Sequence, residues 1–148
     1  MRLSTKARYG VRLMIDLALN QKKGYVNLKD IAKRQGISAK YLWQIITHLK
    51  SAKLVISSRG AKGGYLLAKA PDKIKIKEII TVLGDSLSPV ACLENPKSCR
   101  RSNCCAAKDL WQELADKMED FLGSITLQEL AIKQGKKQGQ LSGSMYYI

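Results

Sequence analysis

Cysteine usage carries the strongest chemical signal in this chain. Cys92, Cys99, Cys104 and Cys105 fall within fourteen residues, and the chain has no other cysteine. Six residues separate Cys92 from Cys99, and five separate Cys99 from Cys105. Thiolates at that density ligate an iron–sulfur cluster, close a tetrahedral zinc site or act as redox-responsive thiols. Lys97, Arg100, Arg101 and Lys108 flank them and favour thiolate over thiol. Zinc is the main competitor to a cluster, although adjacent Cys104 and Cys105 make a four-thiolate tetrahedron awkward. A disulfide framework is not expected. The opening residues are polar and charged, no secretory segment is visible, and no apolar run approaches the roughly 18 residues of a membrane span. The expected location is the cytoplasm, a reducing compartment. A redox enzyme built on Cys104 and Cys105 lacks a partner base and a glycine-rich cofactor loop. The single histidine, His48, is distant in sequence and reads as a phosphate contact or a surface residue. No enzyme is expected.

A second group of residues is basic. The formal net charge is +14, and residues 1–70 hold fifteen Lys and Arg against two acids, Asp16 and Asp30. Residues 71–148 hold eleven against ten. A positive field so concentrated attracts polyanions and speeds their encounter. A solubility-tuned surface and a membrane-facing role are the alternatives on charge alone.

The elements that carry this charge have a definite order. Residues 7–20 place Val11, Met14, Ile15, Ala18 and Leu19 on one helical face. Asn27 is placed to cap a second helix over 28–35. Gly36 breaks it, and Ser38 caps a third helix reaching about Ala52. Residues 54–58 alternate like a strand, 59–64 form a turn and 65–68 return. Helix, glycine turn, helix and glycine-tipped hairpin is the order of a winged helix-turn-helix, whose third helix lies in the major groove of DNA and reads base edges with its N-terminal residues. Leu42, Ile45, Ile46 and Leu49 take the core side. Beyond Ser38 and Ala39 at the helix start, Lys40, Tyr41, Trp43, Gln44 and Thr47 are left outward. Lys40 suits guanine and Gln44 suits adenine, while Trp43 either meets a thymine methyl or packs. Lys29, Lys33 and Arg34 come from the second helix. At the hairpin tip, Arg59, Gly60 and Lys62 offer a close backbone approach and an arginine for a narrow minor groove. A generic polar turn is the plainer alternative there.

Residues 73–83 read as a short helix carrying Ile74, Ile76, Ile79, Ile80 and Leu83, and 84–103 as an irregular segment. A long helix from Cys105 to Ser124 follows, with Leu110, Leu114, Met118, Phe121 and Ile125 on one stripe. That stripe exceeds what one small domain covers, so two copies are expected to pair across a two-fold axis. Thr126 and Glu129 form a capping box for a last short turn. The Gly-, Lys-, Gln- and Ser-rich stretch beyond it reads as disordered. The expected fold class is mostly α with a small β-wing: a winged helix-turn-helix over 1–70, a linker helix and cysteine loop over 71–103, a dimerisation helix over 104–132 and a disordered tail over 133–148.

Four stretches, MRLSTKARYGVRLMIDLA, LKDIAKRQGISAKYLWQII, RGAKGGYLLAKAP and LWQELADKMEDFLGSITLQEL, resemble the winged-helix regulators of the IscR, NsrR and CymR type over about residues 1–132. The resemblance implies a homodimeric transcription regulator, repressor or activator, that reads a pseudo-palindromic operator in double-stranded DNA. It also implies an iron–sulfur cluster, 2Fe–2S favoured over 4Fe–4S, on Cys92, Cys99 and Cys105, through which iron–sulfur status, redox state or nitric oxide controls DNA affinity. One branch adds a histidine three residues after the third cysteine. Aligned on Asp109-Leu110-Trp111, that position is Lys108 here, which leaves the fourth ligand open among Cys104, Glu94, Asp109 and a group from the partner subunit. The first cysteine gap is one residue longer than the common pattern, and Trp43 stands where the family often has Glu. The alternative is a cluster-free or zinc-containing nucleic-acid-binding protein of architectural or thiol-sensing type; an architectural binder would discriminate little between operator and random DNA.

Overall fold

The computed structural model describes residues 2–146. Helix α1 (Thr5–Asn20) is capped by Ser4, whose hydroxyl accepts from the Ala7 amide at 3.0 Å. Its buried face is Ala7, Gly10, Leu13, Met14 and Leu17; the expected Val11, Ile15 and Ala18 form a half-buried shell beside it. The reason is that α1 is central. It packs against α2 (Leu28–Gln35), α3 (Ala39–Ser51), α4 (Ile76–Val82) and α7 (Leu127–Tyr146), so apolar surface is wanted nearly all round.

The helix-turn-helix forms as its capping residues dictate. Asn27 Oδ1 accepts from the Lys29 amide at 2.8 Å, and Gly36 ends α2 in the left-handed conformation, with φ +64°. Strands β1 (Val55–Ser58) and β2 (Gly64–Leu67) pair antiparallel, with Val55 opposite Leu67 and Ser58 opposite Gly64. Val26 lies along the same ribbon, exchanging two 2.9 Å backbone hydrogen bonds with Tyr65. Gly64 permits this: at φ +151° a Cβ would stand 2.4 Å from the Val26 carbonyl oxygen.

One core runs through the fold, from Ala7 through Leu49 and Ile79 to Leu127. Helix α4 therefore packs into the same core as the helix-turn-helix, and residue 70 is not a packing boundary. A Cβ on Gly10 would stand 2.0 Å from Leu83 Cδ1, which shows how closely α1 and α4 approach. The Ile76 amide donates to Ile125 O (3.1 Å) and the Leu127 amide to Ile74 O (2.9 Å), pinning the end of α6 (Ala106–Ser124) to the start of α4.

Two expectations need correction. The irregular segment contains a single helical turn, α5 (Ala91–Glu94), and a 3₁₀ turn at Pro96–Ser98. The C-terminal stretch, expected as a short turn and a disordered tail, is helix α7 through Tyr146; residues 147 and 148 lie outside the described residues. The span 104–132 is accordingly two helices, broken at Ile125–Thr126. Composition misled here because Lys and Gln are good helix formers. Leu127 and Ala131 also give α7 an apolar edge against α1, with Gly135 close to Leu19.

Candidate nucleic-acid interface

Helix α3 presents Lys40, Trp43, Gln44 and Thr47 to solvent, with Ala39 half-buried at its start. Trp43 is 57% exposed, so its ring lies outside the core. The Ser38 hydroxyl caps the helix, accepting from the Tyr41 amide at 3.2 Å. Thr47 donates back to the Trp43 carbonyl at 2.7 Å. Tyr41 departs from expectation. Its ring packs edge-on to Tyr9 at 5.9 Å against the core, so it braces α3 on α1 rather than standing free. Arg12 covers the other ring of that pair, 5.3 Å from the Tyr9 centroid.

The wing and α3 bound an open groove of about 640 Å³, lined by Lys29, Ala39, Trp43, Lys50, Arg59, Gly60 and neighbouring backbone. Residues from three elements thus meet on one basic surface. Ala39, Trp43 and Lys50 share a face of α3 at helical spacing, which is why Lys50 belongs to the set although the sequence reading passed it over. Lys62 lies across the wing tip, on a second cleft with Lys23, Asp30 and Arg34. Lys33 is exposed on α2, and His48 is exposed late on α3.

Behind this surface is a network that the sequence reading missed. Asp16 is 3% exposed, and its carboxylate accepts from Arg34 Nη2 (2.7 Å), Arg34 Nε (3.0 Å), Gln35 Nε2 (2.9 Å) and Asn20 Nδ2 (3.2 Å). The Asp16 hydrogen bond holds the Arg34 pKa above its ordinary value, against a smaller opposing effect of burial. Arg34 therefore ties α2 to α1 instead of serving chiefly as a free cation. Arg12 adds a hydrogen bond from Nε to Gln35 Oε1 at 3.1 Å. The signal was an acid between Met14 and Leu17 on an apolar face, with basic residues on the next helix.

The four thiols are all free. Cys92 lies on α5 and Cys105 immediately precedes α6, both half-buried; Cys99 and Cys104 are exposed. Among the described residues no three Cys, His, Asp or Glu side chains gather as a metal site. Glu94 accepts a short hydrogen bond from Ser86, Asp109 is exposed in the first turn of α6, and Lys108 Nζ donates to Ser102 Oγ at 2.7 Å. The donor set fits a cluster in its chemistry, because thiolates are the ligands such clusters take. Gathering those thiols requires the loop to close. Along α6, Leu110 and Phe121 are 56% and 63% exposed, and Trp111 and Leu114 are also open.

A family model described as Rrf2, an iron-dependent transcriptional regulator, matches residues 3–133. The chain belongs to the Rrf2 family. The HTH-type transcriptional regulator IscR of Erwinia tasmaniensis is 42% identical over 134 residues, which cover 90% of this chain and 81% of that protein. IscR of Escherichia coli O1:K1 / APEC is also 42% identical, over 90% of this chain and 82% of its own length. The solved structure of CymR, the global cysteine regulator of B. subtilis, aligns with a TM-score of 0.77 at 40% identity, covering 90% of this chain and 98% of that one. T. potens IscR aligns at 0.76 and 40%, covering 93% and 91%. These relatives are transcription regulators and not enzymes, and this Rrf2 chain is a DNA-binding transcription regulator with their winged-helix fold. No helix among its described residues is long and apolar enough to cross a membrane.

Proposed function

We propose that this Rrf2 protein is a homodimer that reads a pseudo-palindromic operator with α3 and the wing, and that an iron–sulfur cluster on Cys92, Cys99 and Cys105 sets its affinity. The proposed readers are Lys40, Trp43 and Gln44, with Ser38 and Ala39 at the helix start. Lys33, Arg59, Gly60 and Lys62 hold the sugar–phosphate backbone or minor groove, and Tyr41 supports α3 from behind. One observation carries the reading: free thiols stand at the head of α6, a helix whose apolar stripe lies open. When bound, a cluster supplies an oxidant-sensitive group that fixes the loop. The chain's own residues do the rest, and a ligand shifts only the equilibria whose states it binds differently.

The test is anaerobic reconstitution with ferrous iron and sulfide, followed by metal counts, a visible spectrum and affinity for duplexes selected from a random pool. Serine at 92, 99 or 105 should abolish the spectrum, and Cys104→Ser should retain it. Stoichiometric zinc without iron in every form would replace the cluster with a structural metal clip. A thiol-sensing reading has one observation in its favour: S. aureus CymR, 39% identical, has been solved in an oxidised form. That reading expects operator affinity to follow thiol oxidation with no metal bound.

A further inference from the structure

Buried polar side chains are few among the described residues. Asp16 and Ser102 are the buried polar residues among those described, and Asp16 has its network. Ser102 is unusual because it lies in a segment otherwise open to water: Arg100, Arg101, Asn103 and Cys104 around it are exposed. Its hydroxyl accepts from Lys108 Nζ at 2.7 Å, and Lys108 is itself half-buried on the first turn of α6. The backbone between them is turned on itself. Ser102 N donates to Cys99 O (3.2 Å), Cys104 N to Arg101 O (3.0 Å) and Lys108 N to Cys105 O (3.1 Å). Cys104 and Cys105 lie inside the closed stretch, and Cys99 is at its edge. Cys92 stands apart on α5.

We infer that Lys108 is a positioning residue for the thiol site: its hydrogen bond to Ser102 folds residues 99–108 before any metal arrives and holds a positive charge beside the site. This rests on the cluster reading above. Two physical consequences follow. The Cys99–Cys105 half is preorganised, so Cys92 on α5 supplies most of the closing movement. The Lys108 ammonium, one helical turn from Cys105, offsets the negative charge of thiolates and sulfides and favours the reduced cluster over the oxidised one.

The experiment uses the full-length chain with Lys108→Met, Lys108→Arg and Ser102→Ala. In the metal-free protein, amide hydrogen exchange over residues 99–108 should quicken about tenfold in K108M and S102A, a change suited to losing a charged hydrogen bond. K108R should restore slow exchange. Unfolding midpoints follow in parallel and should stay near wild type. After loading with ferrous iron and sulfide, K108M should show a lower midpoint potential and weaker iron retention against a chelator. K108R should match wild type in both, and S102A, which keeps the charge, should lose retention with a smaller shift of potential. Unchanged exchange in K108M and S102A overturns the inference, as does wild-type iron retention and potential in both. Failure of the wild type to take iron and sulfide sinks the cluster reading and this inference together, and that outcome is distinct from wild-type loading with indifferent variants.

Discussion

Replacing Asp16 with alanine tests whether the reading head is held in shape from inside. The carboxylate is 3% exposed and accepts four hydrogen bonds from three side chains, two of them from Arg34. Truncating one partner of a buried ion pair costs about 3–5 kcal/mol. Arg34, however, is 42% exposed and can turn its guanidinium to water, so the penalty is discounted to about 2 kcal/mol. The reverse truncation differs. Arg34→Ala leaves a buried carboxylate with only the neutral amides of Gln35 and Asn20, and should cost about 3 kcal/mol. For a chain of this size these figures correspond to roughly 4–8 °C and 6–12 °C in melting temperature.

Thermal or urea unfolding of the two single variants and the double variant reads the prediction directly. R34A should be the less stable single variant, and the double variant should lose less than the sum, because each truncation removes the same pair. The pH dependence has a definite sign. Arg34 has a raised folded pKa, so the stability it brings is present below its unfolded value and is lost only as pH rises through the folded one, in strongly alkaline solution. Its contribution should therefore be flat between about pH 6 and 9. Strict additivity of the two truncations, or D16A melting with the wild type, would refute the reasoning.

Arg59→Ala should weaken binding to a selected operator by about 1–3 kcal/mol with an unchanged melting temperature, checked by fluorescence anisotropy and calorimetry; normal binding would make the wing tip a surface turn. Leu114→Asp places a carboxylate amid the open apolar stripe of α6. Sedimentation should then show monomers with lost operator affinity, and a surviving dimer would put the interface elsewhere. Operator affinity should fall roughly 10³–10⁵-fold between 50 and 200 mM salt if about six to ten phosphates are contacted, and a slope near zero would rule out a backbone-held complex.

Capping chemistry made the helix-turn-helix legible: Asn27, Gly36 and Ser38 act where their side chains and conformational freedom suggest. The wing was legible from its alternation and its glycines. Two kinds of feature were not. Tyr41 was expected to stand outward and Asp16 was read only for its charge; their partners, Tyr9 and Arg34, are 32 and 18 residues away. The α7 helix looked disordered because composition averages over a face. Its lysines and Gly139 are solvated while Leu127 and Ala131 anchor it to α1. In the cysteine loop, the sequence shows four clustered thiols but not their separation, which depends on where α5 and the head of α6 are held.

The packing also constrains how a change in that loop can reach DNA. Leu83 of the α4–α5 connection lies against Gly10 of α1, and Asp16, further along α1, holds α2. The end of α6 is pinned to α4 at Ile76 and Ile125, and Lys77 pairs with Glu119 at 2.9 Å. From α3 to α4 the core is continuous, and a close-packed interior resists gradual deformation. Closure of the loop on a ligand would therefore leave the inside of one reading head almost unchanged. What it can alter is the head of α6 and, in the proposed dimer, the spacing of the two heads. Operator affinity in such an assembly depends on half-site spacing. Duplexes with one base pair inserted between half-sites should then respond differently to loading of the loop than the selected operator does. An isolated half-site should respond hardly at all, and equal responses from half-site and full operator would place the switch inside the reading head instead.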